Sequence, residues 1–195
     1  MRTLRPLAWL ALAIGVVLIF VFAARYTQSV NEQLLSPAAD DLGVRFLENP
    51  IPLPDFPMRT LAGETLTPQG LRGKVVIVNF WATWCHPCQA EIPELIKLQN
   101  KYPEELTVIG VSAEIPGHDL SNDARSREIA RRFAEEWHIN YAVVMQTDRI
   151  LDAFTGIFAL PTSFVIDQEG RIVQKHVGLI SPVIFEREVR ALVGF

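Results

Sequence analysis

The chain has two cysteines, which stand three residues apart in the sequence Trp84-Cys85-His86-Pro87-Cys88. They follow an apolar, β-branched run directly and open a segment with helical spacing, so Cys85 is expected at a helix N-terminus. Free amides and the helix dipole favour an anion at that position and lower the pKa of a thiol. We therefore predict that Cys85 attacks disulfides as a thiolate and that Cys88, one turn further in, resolves the mixed disulfide.

A cysteine pair has three other common uses: a structural disulfide, a zinc site and haem attachment. A purely structural disulfide across so short a loop would restrain the unfolded chain by only about 2 kcal/mol. A zinc site needs four ligands, and the sequence offers only the scattered His118, His138 and His176 besides the pair. Haem attachment requires a histidine where Gln89 stands. Redox chemistry is therefore the preferred interpretation, with no metal and no cofactor beyond the Cys85–Cys88 disulfide.

The elements that must position this pair alternate between strand and helix. Residues 74–80, 106–111 and 141–145 form short runs rich in β-branched residues, which is typical of strands buried in a sheet. The spacing of apolar residues predicts helices over 91–101 and 123–138.

The last part of the chain carries a hairpin and a helix. Residues 162–167 and 171–177 flank a turn at Gln168-Glu169-Gly170, and Ser181-Pro182 is typical of a helix start, with the helix ending near Leu192. This order predicts an α/β fold in which helices cover both faces of a central mixed sheet.

Composition excludes two broad classes of protein. Hydrophobic residues make up 49% of the 195 residues and charged residues 21%, which excludes an intrinsically disordered chain. The formal net charge of −4 argues against a nucleic-acid-binding protein, which would carry a basic face.

The N-terminal segment predicts a membrane anchor. Residues 6–24 carry no charge and, as a helix, would rise about 28 Å, close to the thickness of a hydrocarbon core. Arg2 and Arg5 precede this segment, so the positive-inside rule places the domain outside the cytoplasm. We predict an anchor at 1–25, a polar tether at 26–43 and one folded domain at 44–195. A cleaved signal peptide and a buried soluble helix are the alternatives.

Two segments resemble a known family. Residues 79–93, NFWATWCHPCQAEIP, are similar to the active-site signature of the thioredoxin-like TlpA/ResA/DsbE (CcmG) family, and residues 159–167, ALPTSFVID, resemble the segment that holds its cis-proline. Members are membrane-anchored thiol–disulfide reductases that work outside the cytoplasm, often on apocytochrome c. The resemblance runs from about residue 52 to the C-terminus. It implies a thioredoxin fold with an N-terminal extension and a central helical insertion.

The resemblance also implies roles for individual residues near the pair. Pro161 would be the cis-proline that packs against the cysteines, next to Thr162, and Leu160 would offer backbone hydrogen bonds to an extended substrate. Thioredoxins carry a buried aspartate where this chain has Asn79, which cannot exchange a proton. The family instead places a glutamate three residues after the second cysteine. Glu91 matches it and would transfer the proton of Cys88; a solvated helix glutamate is the alternative.

The pair's immediate neighbours complete the predicted site. Trp84 would shield the disulfide, and Pro87 stands between the cysteines. A cation at His86 would stabilise the Cys85 thiolate and make the protein more oxidising, whereas an exposed turn residue is an equal alternative.

We therefore predict an extracytoplasmic reductase of protein disulfides, held as a monomeric domain at the bacterial cytoplasmic membrane. The family implies apocytochrome c as the client and a CcdA- or DsbD-type membrane protein as the thiol donor. A thiol peroxidase is one alternative, although it requires Pro and Thr or Ser where Val78 and Ala82 stand. A Cu(I) chaperone is the other, although such carriers have three residues between their cysteines, not two, and add a histidine.

Overall fold

A mixed β-sheet of six strands forms the centre of the domain in this computed structural model, which describes residues 46–194. The strands are β1 (Ile51–Pro52), β4 (Val75–Trp81), β5 (Leu106–Ser112), β6 (Ala142–Met145), β7 (Thr162–Ile166) and β8 (Arg171–Val177), while β2 (Met58–Arg59) and β3 (Thr65–Leu66) form a separate hairpin. The order across the sheet is β1-β8-β7-β4-β5-β6.

Strand β4 lies in the middle of the sheet, and all seven of its residues are buried. It runs parallel to β5 and antiparallel to β7, and Asn79 lies opposite Gly110 on one side and Ser163 on the other. A strand covered on both faces has a continuous run of apolar residues, and this run is the signal that predicts β4 from the sequence. Asn79 is the one polar residue in that run.

Five helices accompany the sheet within the described residues: α1 (Pro68–Leu71), α2 (His86–Lys101), α3 (Ala124–Glu136), α4 (Asp148–Ala153) and α5 (Pro182–Val193). Apolar side chains of α2, α3 and α5 pack on the face of β4 that carries Ile77 and Trp81. The opposite face, with Val78 and Phe80, packs against Ile150 of α4 and the preceding segments of the chain. The predicted α/β arrangement with helices on both faces is confirmed.

Helix boundaries follow local capping. Helix α2 begins at His86, five residues before the periodic stretch that predicted it, because Cys85 takes the N-cap position. Asp123 caps α3 by accepting hydrogen bonds from the amides of Arg125 and Ser126. Ser181 stands at the N-cap of α5 as predicted, but its side chain makes no capping hydrogen bond.

The short elements β1, β2, β3, α1 and α4 were not predicted, since two to six residues carry too little periodicity to be seen in a sequence. The predicted anchor at 1–25 and tether at 26–43 lie outside the described residues. Between residues 46 and 194, no helix combines the length and the apolar character needed to cross a bilayer.

Candidate active site

The two cysteines form a disulfide at the point where β4 passes into α2. Cys85 is the N-cap residue of the helix, and its Sγ accepts a hydrogen bond of 3.4 Å from the amide of Cys88. Both residues are buried, and the Cα atoms lie 5.3 Å apart. The amide of Cys88 in the first helical turn therefore faces the sulfur of Cys85, at the helix end that stabilises a thiolate once the disulfide is reduced.

The turn that precedes Cys85 is held by a glutamate that sequence reasoning missed. Both carboxylate oxygens of Glu114 accept hydrogen bonds from Thr83, one from its amide at 3.0 Å and one from its hydroxyl at 2.7 Å. The indole of Trp84 donates to the backbone carbonyl of Glu114 at 3.0 Å, although 54% of the residue remains exposed. From α2, Gln89 donates to the carbonyl of Thr83 at 2.6 Å. The turn that leads to Cys85 is therefore held by hydrogen bonds to Glu114 on one side and to Gln89 of α2 on the other.

Glu91 lies one helical turn beyond Cys88 and, like it, is buried beneath α2. Only 3% of Glu91 is exposed, and its Oε2 accepts a hydrogen bond of 2.7 Å from Nδ2 of Asn79. The same Nδ2 donates to Oγ of Ser163 at 2.9 Å. The second carboxyl oxygen, Oε1, is buried without a hydrogen-bond partner of good geometry.

Burial raises the pKa of Glu91 to about 7 from 4.5, because a carboxylate loses its hydration in this position. The hydrogen bond from Asn79, the backbone of Ile180 and the charge of His176 oppose this rise. A group with a pKa near 7 is populated in both protonation states at neutral pH and can accept or donate a proton. Asn79 cannot titrate, so of these two neighbours Glu91 alone can move a proton.

The peptide bond between Leu160 and Pro161 is cis, and it immediately precedes β7. Thr162, the first residue of that strand, is fully buried and lies opposite Phe80 of β4. Its hydroxyl donates to the carbonyl of Ala159 at 2.7 Å, which ties the proline turn to the start of the strand. The cis bond implied by the sequence motif is therefore present, next to the strand that leads to the cysteines.

A cavity of about 450 Å³ opens between the cysteine turn and the proline turn. Trp84, Cys85, His86 and Pro87 line one side, and residues 157–160 line the other. Apolar groups dominate its rim, where Phe158 is 80% exposed. The cavity offers a segment of another protein access to Cys85.

Comparisons with known proteins now identify the family. Residues 51–175 match the description "AhpC/TSA family". The chain belongs to the AhpC/TSA family.

Several individual proteins resemble this AhpC/TSA chain. A "Thioredoxin-like protein YneN" of Bacillus subtilis is 32% identical over 136 residues, which cover 70% of this chain and 75% of that protein. A "Thiol-disulfide oxidoreductase ResA" of Bacillus cereus is 33% identical over 126 residues, covering 64% and 67% respectively. A crystal structure of a thioredoxin-family thiol:disulfide interchange protein from Chlorobium tepidum matches with a TM-score of 0.65, 32% identity and coverage of 76% of this chain and 99% of that one. The thioredoxin fold and the ResA resemblance are confirmed.

In this AhpC/TSA chain the structure brings most of the predicted site together. Cys85, Cys88 and Glu91 lie along α2, while Trp84, His86, Pro87 and Leu160 line the cavity beside them. His86 is exposed at the first helical position. Their roles in the reaction stay predictions. Within residues 46–194, no group of three or more His, Cys, Asp and Glu side chains is arranged to hold a metal ion.

From the sequence, His176 falls in the predicted strand at 171–177 and is one of three scattered histidines that complete no zinc site. In the structure its Nε2 lies 2.8 and 3.0 Å from the two carboxyl oxygens of Glu188, a residue of α5 that sequence reasoning did not single out. Glu188 follows Phe185 by three residues and precedes Val189, both buried, so it lies on the apolar side of its helix. A glutamate within an apolar stripe was the signal that could have revealed the pair.

Proposed function

We propose that the protein is a thiol–disulfide oxidoreductase that reduces disulfide bonds in client proteins. The observation that supports this most strongly is the Cys85–Cys88 disulfide at the N-terminus of α2, with the carboxyl group of Glu91 buried one turn behind it. The name of the similar ResA protein of Bacillus cereus, a thiol-disulfide oxidoreductase, supports thiol–disulfide exchange as the chemistry. The two cysteines carry the electrons, and we propose no other cofactor.

The reaction proceeds by two exchanges at sulfur. The Cys85 thiolate attacks one sulfur of the client disulfide, which forms a mixed disulfide and releases the other client sulfur as a thiolate. Cys88 then passes its proton to Glu91 and attacks Sγ of Cys85, so that the second client sulfur leaves and the Cys85–Cys88 disulfide forms. The first client thiolate takes a proton from the solvent, and the second takes the proton that Glu91 accepted from Cys88. Two electrons pass from the protein to the client.

The cavity beside Cys85 is the proposed place for the client segment. Its apolar rim, with Phe158 exposed at the edge, suits an extended segment that carries apolar side chains next to its cysteine. The backbone of Leu160, before the cis peptide bond, is free to pair with that segment in the manner of an added strand. Thr162 holds this turn in place.

We further propose that the domain works on the extracytoplasmic side of the bacterial cytoplasmic membrane, anchored by residues 6–24. A reductant in an oxidising compartment must itself be reduced again, so a membrane thiol donor of the CcdA or DsbD type is the proposed source of electrons. Apocytochrome c is the proposed client, by resemblance to the family. The domain acts as a monomer and uses no nucleic acid.

The first experiment is the reduction potential of the Cys85–Cys88 pair in the full chain, equilibrated in thiol redox buffers with tryptophan fluorescence as the readout. A value near or below about −220 mV is expected, since thioredoxin lies near −270 mV. A value above about −180 mV would instead mean that the protein introduces or shuffles disulfides. Consumption of peroxide by the purified protein would favour the peroxidase alternative, and retention of Cu(I) against a chelator would favour the chaperone.

Clients are found with Cys88→Ala, which removes the resolving thiol and leaves Cys85 bound to its substrate. This variant is expected to accumulate mixed disulfides in the cell, seen as bands on non-reducing gels that disappear on reduction. Cys85→Ala is the matched control and is expected to trap none. Equal trapping by both variants would contradict the assignment of Cys85 as the nucleophile.

A further inference from the structure

A row of polar side chains, two of them buried and His176 half-buried, crosses three adjacent strands on the face covered by α2 and α5. The strand register places Asn79 of β4 opposite Ser163 of β7, and Ser163 opposite His176 of β8. At one end of this row Asn79 contacts Glu91 of α2, and at the other end His176 contacts Glu188 of α5. Two carboxyl groups from two helices therefore terminate the same polar row.

The His176–Glu188 pair is unusual in its burial. The side chains are 15% and 2% exposed, and Nε2 lies within hydrogen-bond distance of both carboxyl oxygens. A carboxylate only accepts hydrogen bonds, so a proton must lie between the two groups, either on Nε2 or on Glu188. Removing the partner of a buried carboxylate is costly, and an apolar pair would pack there without this cost. A role of His176 and Glu188 in the reaction would explain why this pair stands where an apolar pair would pack.

The proposed chemistry supplies one. To take the proton of Cys88, Glu91 must first be ionised, so a negative charge has to lie in a buried position where Asn79 is the side-chain hydrogen-bond donor. Burial raises the pKa of Glu91, and a positive charge on His176 acts in the opposite direction. His176 is the charged group that lowers the pKa of Glu91, and the two carboxyl oxygens of Glu188 hold its ring in place through Nε2.

We propose that His176 and Glu188 are positioning residues for the proton-transfer step: Glu188 holds the imidazole of His176 at the end of the polar row, where His176 stabilises ionised Glu91 as the base that takes the proton of Cys88. This inference rests on the proposed function. The titratable groups that face the row are Cys88 and Glu91 of α2, His176 of β8, Glu188 of α5, and Tyr141 before β6, which interacts with Glu91 electrostatically. Lys101 and Glu186 pair on the outer side of the two helices.

The decisive measurement is the titration of the Glu91 carboxyl group by ¹³C NMR in the oxidised full chain, with its signal assigned by its loss in Glu91→Gln. In both Glu188→Gln and His176→Gln, the midpoint of Glu91 is expected to move upward by about half a pH unit or more, because the first releases the imidazole of His176 from its position and the second removes it. The double variant is expected to shift as far as either single one, since the two residues act as a unit. This readout needs no client and no turnover.

Kinetics provide the second readout. The rate at which the mixed disulfide is resolved, measured with a small peptide disulfide, is expected to reach its maximum at higher pH in both variants. In a Glu91→Gln background, Glu188→Gln is expected to leave the pH profile unchanged. Glu186→Gln is the matched control: it removes a glutamate from the same helix, but an exposed one that pairs with Lys101, and the midpoint of Glu91 should stay in place.

An unchanged Glu91 midpoint in folded Glu188→Gln and His176→Gln would overturn the proposal, whatever the protein's activity. Equal shifts in Glu186→Gln would overturn it as well. If a single variant does not fold, the double variant His176→Phe with Glu188→Leu replaces the pair by apolar side chains and is expected to show the same upward shift. If the Glu91 midpoint shifts upward in the variants as expected but the reduction potential lies above about −180 mV, the proposed function alone is refuted.

Discussion

Nδ2 of Asn79 donates to one oxygen of Glu91 only, Oε2, at 2.7 Å. A protonated carboxyl group carries its proton on one oxygen, and an oxygen that already accepts a strong hydrogen bond is the poorer place for it. The proton of neutral Glu91 therefore lies on Oε1, the oxygen that Asn79 does not contact. The amide thus orients the acid as well as stabilising its anion.

Glu91 makes the stability of the oxidised protein depend on pH. Its pKa is raised to about 7 in the folded protein from 4.5, so between these values the folded state holds a proton that the unfolded chain has released. The free energy of unfolding therefore falls as the pH rises through this interval, by about 3 kcal/mol in total. Glu91→Gln keeps the shape and cannot lose a proton, so its stability relative to wild type should increase from pH 4.5 to pH 8 in urea unfolding. A constant difference between the two proteins would contradict the raised pKa.

Asn79→Asp should sharpen this dependence. It places a second carboxyl group beside Oε2 of Glu91, and two carboxylates so close cannot both ionise without a large penalty. At pH 8 the variant is expected to lose about 3 kcal/mol of stability beyond wild type, and much less at pH 5, where both groups are protonated. Asn140→Asp is the control. Asn140 is exposed, so the stability lost with its hydrogen bonds should be the same at pH 5 and at pH 8.

Resolution of the mixed disulfide should slow in Glu91→Gln by about 100-fold at pH 7, the usual contribution of a general base. Rapid-mixing release of the reduced client measures this step separately from the first attack by Cys85, which should be unchanged. Glu94→Gln serves as control, since Glu94 lies on the same helix but pairs with Lys97 at the surface. Equal rates of resolution in wild type and Glu91→Gln would show that Glu91 is not the base for Cys88.

The hydrogen bonds between Thr83 and Glu114 can be tested separately from proton transfer. Glu114→Ala removes the acceptors of the Thr83 amide and hydroxyl, and we expect a loss of about 1–2 kcal/mol in the free energy of unfolding. Hydrogen exchange at the Thr83 amide should become faster, while the pH dependence due to Glu91 remains. Protection of this amide as in wild type would show that the turn is held by other contacts.

The cysteine pair and the central strands could be predicted because their signals are local. Strand β4 is a continuous apolar run, and two cysteines with two residues between them at the start of a helix are conspicuous in any sequence. Glu114 and Glu188 were missed because a single glutamate in a loop or a helix is usually solvated. Only the folded chain shows what each one contacts. Glu188 is buried because β8 brings His176 beneath α5, which no local pattern of residues specifies.

The polar row draws on residues from distant parts of the chain. Asn79 and Ser163 are 84 positions apart, and Glu188 belongs to α5, the last helix of the described residues. Contacts so distant in sequence form late, after β7, β8 and α5 have docked on the central strand. Until then Glu91, although on the same helix as Cys88, lacks the burial and the polar neighbours that adjust its pKa. Efficient proton transfer at neutral pH would thus emerge only with completed folding.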